Sequence, residues 1–235
     1  MEITGEVQKN LGGNMCKNVS MHTEGQSTDH ATALRRAVFL DRDGTLNEDK
    51  GYVHRKEDWR WLPGVPETLK RLHAMGYLLV VVSNQSGIAR GMYSLDELRA
   101  LEAWVSADLA ARGACIDAWY YCPHLPEITG PCICRKPKSG LLLQAARDLH
   151  IDLARSWMVG DKTRDVQAGL AAGTSCILLR PTANLEGAVD KETSKKTDET
   201  VPDGVIVVPH LPAAGVHILA PELRMARLTR LTRRH

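Results

Sequence analysis

A series of short, unbroken apolar runs separated by stretches of helical period constrains this chain more than any other feature. The runs are AVFL (37–40), YLLVVVSN (77–84), AWYY (118–121), WMVG (157–160), SCILL (175–179) and GVIVV (204–208). Strands with one wet face alternate apolar and polar residues, whereas strands buried on both faces do not, so these runs predict a parallel sheet covered on each side. The segments between them carry helical signals. In PETLKRLHAMG, Leu69 and Leu72 lie three apart and Gly76 supplies a stop. Ser94 and Glu97 have the spacing of a capping box, after which Leu98, Leu101, Val105 and Leu109 share one face. SGLLLQAARDLH and DVQAGLAAG supply further helices. Strands joined by helical crossovers predict an α/β fold, a doubly wound and mainly parallel sheet with helices on both faces.

The same patterning sets the boundaries. Residues 1–33 are rich in Asn, Thr, Ser, Gly and Gln and show neither period, which predicts a flexible N-terminal tail ahead of a folded domain over 34–220. Residues 181–203 read as a polar insertion, and 221–235, with five arginines, as a basic C-terminal tail. That tail could meet an anionic surface, although a solvated helical tail is the reading its composition favours. A chain of 235 residues with 43% hydrophobic residues can bury a sizeable core without disulfides. A net charge of +2 and a single Phe argue against a nucleic-acid partner, and no run approaches the length needed to span a bilayer. With no secretory leader visible, the expectation is a cytoplasmic monomer with no membrane partner.

Ligands of open α/β sheets bind outside the carboxyl ends of the strands, and four polar segments stand at such ends here. DRDGTLN (41–47) directly follows AVFL. Asp41 and Asp43, two apart before a glycine turn, can bring two carboxylates to one point. Carboxylates can hold Mg²⁺ for phosphoryl transfer, and one can itself be the nucleophile. The pair alone would also suit a surface turn. In SNQSG (83–87), the Ser83 hydroxyl, the Asn84 and Gln85 amides, Ser86 and a glycine suit a phosphate cradle, though strands often end in Ser and Asn. In RKP (135–137), Arg135 can grip an anion with its fork and Lys136 can place a point charge on phosphate; a solvated pair is the plainer alternative. GDKTRD (160–165) offers Asp161 as a metal ligand at the start of a helix, with Asp165 one turn on able to orient a lysine. An N-terminal cap with a solvated acid is the alternative.

Cys122, His124, Cys132 and Cys134 lie within CPHLPEITGPCIC. Three thiolates and an imidazole make a closed tetrahedral set for a structural Zn²⁺ that would staple the loop, where idle cysteines are the alternative. In a reducing compartment such clustering favours metal over disulfides. Cys16, Cys115 and Cys176 show no partner in the sequence and are assigned to packing or exposure.

Taken as an ordered set, DxDGT, Ser-Asn, Lys and Asp at successive strand ends resemble the haloacid dehalogenase (HAD) superfamily of phosphatases, from residue 37 to about residue 180. The resemblance implies an HAD-like Rossmannoid fold in which Asp41 attacks phosphorus and Asp43 protonates the leaving oxygen and then activates water. It implies Mg²⁺ held by the Asp41 carboxylate, the Asp43 carbonyl and Asp161, with Ser83 and Lys136 gripping the phosphoryl oxygens. A zinc loop running into CRKP, together with Asn47 and DKGYV (49–53), is similar to the branch that contains heptose bisphosphate and histidinol-phosphate phosphatases. There Asp49, Lys50, Gly51 and Tyr52 would help enclose a small phosphorylated sugar, and Arg135 would recognise its distal polar groups. Lys50 stands where histidine is common in that branch. No large cap domain is expected. The expected activity is thus a magnesium-dependent phosphomonoesterase for a heptose bisphosphate. Histidinol phosphate is the alternative substrate, and a non-catalytic phosphosugar-binding module is the alternative of another class. A nucleic-acid end phosphatase tethered by the basic tail finds no support in the near-neutral charge.

Overall fold

The computed structural model describes the backbone of residues 8–11, 33–181 and 200–232, and the side chains of 33–181 and 200–221. Each apolar run becomes a strand, and each stretch of helical period a helix. In chain order they are β1 (Gln8–Leu11), β2 (Ala37–Leu40), α1 (Val65–Ala74), β3 (Leu78–Asn84), α2 (Leu95–Ala111), β4 (Ala118–Cys122) and the single turn α3 (Pro126–Thr129). There follow α4 (Gly140–Leu149), β5 (Trp157–Gly160), α5 (Thr163–Ala172), β6 (Ser175–Leu179), β7 (Ile206–Val208) and α6 (Leu211–Thr232). Helix α2 starts where side chains satisfy its first amides. Ser94 Oγ accepts from the Glu97 amide at 3.1 Å while the Glu97 carboxylate accepts from the Ser94 amide at 2.8 Å, the reciprocal cap read from the sequence.

The sheet order is β1-β4-β3-β2-β5-β6-β7, parallel from β4 to β7. Alternate residues of the central strands feed two cores. Val38, Leu40, Leu79 and Val81 pack with residues of α1, α2 and α6, while Ala37, Phe39, Val80 and Val82 pack with residues of α4 and α5. Each such side chain contributes about 1.5–3 kcal/mol by leaving water, which is why both faces of these strands must be apolar. The sheet is therefore doubly wound. β2 sits at its switch point: the chain runs outward through β3 and β4, then returns to place β5 on the other side of β2. The crevice at such a reversal is where these folds bind ligands.

One expectation is corrected. Residues 1–33 are not all tail, since Gln8–Leu11 pair antiparallel with β4, Gln8 opposite Tyr121 and Leu11 opposite Ala118. The outer edge of β4 presents unpaired backbone groups, and an added strand needs only to match them, so no side-chain period announces it. At the other end, the basic stretch from residue 221 continues α6 instead of leaving it. Most of the expected polar insertion lies outside the described residues. Among those described, no separate cap domain interrupts the sheet, and no helix is long and apolar enough to cross a membrane.

Candidate active site at the carboxyl ends of the central strands

The geometry begins with Asp41, the first residue beyond β2. Its amide donates to the Val159 carbonyl of β5 at 3.0 Å, so the residue remains attached to the sheet and its carboxylate enters the crevice almost fully buried. The chain then turns sharply: the Leu46 amide donates to the Arg42 carbonyl at 2.8 Å, and Gly44 adopts a φ of 82°. A side chain at Gly44 would collide with the Asp161 carboxylate, so glycine is required both by its conformation and by this close approach.

Lys136 is wholly buried, yet its ammonium lies 2.8 Å from Asp41 Oδ1, 2.8 Å from Asp165 Oδ1 and 2.8 Å from the Val82 carbonyl. Burial alone would pull its pKa down, but the Asp165 and Asp41 carboxylates outweigh it and hold the group above its ordinary value. Lys136 is thus a fixed positive charge beside the Asp41 carboxylate. Asp165 Oδ2 also accepts from the Lys162 amide at 3.0 Å, and its Oδ1 is the oxygen ion-paired with Lys136.

Asp161 differs. Its Oδ2 pairs with the Lys162 ammonium, while its Oδ1 is buried with no hydrogen-bond partner. Burial first, and the nearby Asp41 charge second, push its pKa up to about 6. The carboxylates of Asp41, Asp161 and Asp165 converge within 4.8 Å. A buried, unpaired carboxylate oxygen facing a second carboxylate fits a hard divalent cation such as Mg²⁺. With Asp165 engaged by Lys136, Asp41 and Asp161 are the side chains able to hold it.

Asp43 is anchored differently. Arg42, buried between the two aspartates, donates through Nη2 to Asp43 Oδ2 at 2.7 Å and Oδ1 at 2.9 Å, and to the Val53 carbonyl at 2.6 Å. Asn47 Nδ2 adds a donor to Asp43 Oδ1 at 3.0 Å. Arg42 is a site residue that no motif in the sequence marks; only its position between Asp41 and Asp43 hints at it. Asn84 and Gln85, expected among the substrate contacts, are engaged with protein groups. Asn84 clamps the Lys136 backbone in both directions, Oδ1 accepting from its amide at 3.0 Å and Nδ2 donating to its carbonyl at 3.1 Å. Gln85 Nε2 donates to Ser83 Oγ at 2.7 Å and Asp43 Oδ2 at 3.3 Å, and its Oε1 accepts from the Tyr93 hydroxyl at 2.6 Å.

The expected substrate loop lies at the surface. Asp49 Oδ1 accepts from the Gly51 amide at 3.1 Å, Lys50 pairs loosely with Glu48 at 3.4 Å, and Tyr52, at a φ of 52°, leaves its ring 40% exposed. Arg42 fastens this loop to the catalytic turn through Val53. Ser86 is half-buried beside Gln85, and Arg135 donates to the His124 carbonyl at 3.1 Å, which joins it to the cysteine loop.

In that loop the ligand atoms of Cys122, His124, Cys132 and Cys134 all lie within 4.8 Å of one another. Cys122 Sγ is 3.1 Å from Cys134 Sγ and 3.6 Å from Cys132 Sγ, and His124 Nδ1 is 3.2 Å from Cys134 Sγ. Tetrahedral zinc with bonds of about 2.3 Å to sulfur implies sulfur separations near about 3.7 Å, so the set fits that ion. The Cys122 thiol, with His124 and Cys132, pulls the Cys134 thiol down to about 5 against the effect of burial. Elsewhere Cys176 is a buried core thiol, whereas Cys115 is disulfide-bonded, which corrects its assignment as unpaired; Cys16 lies outside the described residues.

Comparison with known proteins agrees with this geometry. Residues 133–208 match the HAD-hydrolase-like family model. The chain is 46% identical over 182 residues to the D-glycero-beta-D-manno-heptose-1,7-bisphosphate 7-phosphatase of Haemophilus ducreyi, covering 98% of that protein and 75% of this one. It is 47% identical over 148 residues to the enzyme of the same name from Escherichia coli K12, covering 78% of it. Among solved structures, the D,D-heptose 1,7-bisphosphate phosphatase of B. bronchiseptica, crystallised with magnesium and phosphate, superposes with a TM-score of 0.67 at 32% identity, covering 99% of that chain and 79% of this one. With the strand-end aspartates, the lysine and the cysteine loop in place, the chain belongs to the HAD-like hydrolases, as a phosphatase in the branch of the heptose bisphosphate phosphatases.

Proposed function

We propose that the protein is a magnesium-dependent phosphomonoesterase that works through a phosphoryl group carried on Asp41, and that its substrate is D-glycero-D-manno-heptose 1,7-bisphosphate, cleaved at the 7-phosphate. The observation that carries the chemistry is the buried Asp41 carboxylate held by Lys136 opposite the unpartnered oxygen of Asp161. Matches at 46% and 47% identity, over 98% and 78% of two relatives bearing the heptose enzyme's name, support the substrate.

In this reading Asp41 attacks phosphorus and the sugar oxygen leaves with a proton from Asp43. Asp43 then takes a proton from the water that hydrolyses the acyl phosphate. Lys136 and the Ser83 hydroxyl hold the phosphoryl oxygens. Mg²⁺, when bound by Asp41 and Asp161, supplies the positive charge that lets two anions approach. Asp49, Lys50, Gly51, Tyr52 and Arg135 enclose the sugar, whose small size suits a site covered by loops instead of a domain. Cys122, His124, Cys132 and Cys134 would hold Zn²⁺, which would steady the loop whose His124 carbonyl accepts from Arg135.

The test measures phosphate release with Mg²⁺ from heptose 1,7-bisphosphate, histidinol phosphate and an aryl phosphate. A kcat/KM advantage of about 10² for the bisphosphate supports the assignment; a preference for histidinol phosphate would replace it. Asp41→Asn should abolish turnover without unfolding the protein, and retained activity would sink the covalent route.

A further inference from the structure

Gln85 stands between Ser83 and Asp43, and neither general phosphatase chemistry nor phosphate binding requires an amide at that point. Its Nε2 donates to both: 2.7 Å to Ser83 Oγ and 3.3 Å to Asp43 Oδ2. An amide can flip, and flipped it would turn its oxygen on the ionised Asp43 carboxylate, which has nothing to donate. The Tyr93 hydroxyl favours the unflipped amide by donating to Gln85 Oε1 at 2.6 Å. Both Gln85 and Tyr93 are buried, at 2% and 5% exposure, so water does not substitute for the contact.

The ring of Tyr93 is itself held. Gly87 leaves the space it occupies, since a Cβ there would land on the ring, and His54 stacks on it at 4.8 Å between centroids with only 9° between planes. His54 Nδ1 in turn lies 2.8 Å from the Tyr52 carbonyl of the expected substrate loop. The consequence for chemistry is specific. Because Ser83 Oγ accepts from Gln85, its own proton must point elsewhere, and the phosphoryl position is the neighbour that needs a donor.

We propose that Tyr93 is a positioning residue for catalysis, acting through Gln85 to aim the Ser83 hydroxyl and the Asp43 carboxylate at the reacting phosphate. It touches neither substrate nor metal. This rests on the roles given above to Ser83 and Asp43 but not on which sugar is bound, so it can be read on any phosphomonoester the wild type turns over.

The experiment is a double-mutant cycle of Tyr93→Phe and Gln85→Leu, with kcat, KM and melting temperature measured on each protein. Tyr93→Phe removes one oxygen and keeps the ring on Gly87 and His54. It should lower kcat about 10-fold with KM changed by less than about 3-fold and melting nearly unchanged. In the Gln85→Leu background it should cost nothing further, because the amide it orients is gone. Gln85→Met replaces Gln85→Leu if the latter fails to fold. Unchanged kcat in Tyr93→Phe overturns the proposal, and so does a loss that simply adds to that of the Gln85 variant. Turnover surviving in Asp41→Asn would refute the aspartyl-phosphate route separately, whatever this cycle shows.

Discussion

Asp165 and Asp161 illustrate how identical side chains acquire opposite duties from their surroundings. Asp165 and Asp161 open the same helix, but the first is neutralised by Lys136 while the second keeps a bare buried oxygen. Replacing Lys136 with Met would leave the Asp41 and Asp165 carboxylates without their shared counter-charge. Loss of activity is expected together with destabilisation of about 3–5 kcal/mol, read by denaturant unfolding. Asp161→Asn should do the reverse to the metal-free fold. Its folded-state pKa, near about 6, lies above the ordinary 3.8, so ionisation disfavours the native state, and stability is lost as pH rises through about 6. In EDTA at pH 7 the Asn variant should therefore be more stable than wild type by about 1–3 kcal/mol. That gap should close as pH falls from 6 toward 4. A variant less stable than wild type at pH 7 would show that Asp161 is not a strained acid awaiting a cation.

At the scale of elements, a loop is the part whose geometry depends most on something outside the backbone. The segment from Cys122 to Cys134 contains only the four-residue α3, and its exposed Ile128 and Ile133 contribute little burial. The cluster of sulfur and imidazole ties the two ends of this segment together, which supports the zinc reading. Metal analysis should find about one zinc per chain that survives EDTA treatment sufficient to strip magnesium. Cys134→Ser should lose it and, with it, much of the turnover, because Arg135 and Lys136 follow directly in the chain. A zinc-free protein of full stability would refute the staple. Helix α2, by contrast, carries its own start signal, and Ser94→Ala should cost about 1 kcal/mol of stability with no effect on chemistry.

At the scale of the whole molecule, the site depends on the order of β3, β2 and β5 and on nothing at the sheet's far edge. Deleting residues 1–33 removes β1, which touches only β4 within the sheet, so turnover should persist while thermal stability declines. Loss of activity on that deletion would mean that the segment reaches the site. The amino-acid pattern alone specified the parallel strands, because burial on both faces leaves an unbroken apolar run. It also determined which residues stand at strand ends, and so Asp41, Ser83, Lys136 and Asp161 as candidates. Periodicity is local, however, and reports nothing about partners distant in the chain. The assembled fold was needed to bring Lys136 to both Asp41 and Asp165, to turn Arg42 inward to Asp43, to face Gln85 toward Ser83 instead of solvent, and to add Gln8–Leu11 at an edge. Each of these follows from strand order at the crossover, where crossovers bring together groups that the sequence keeps apart.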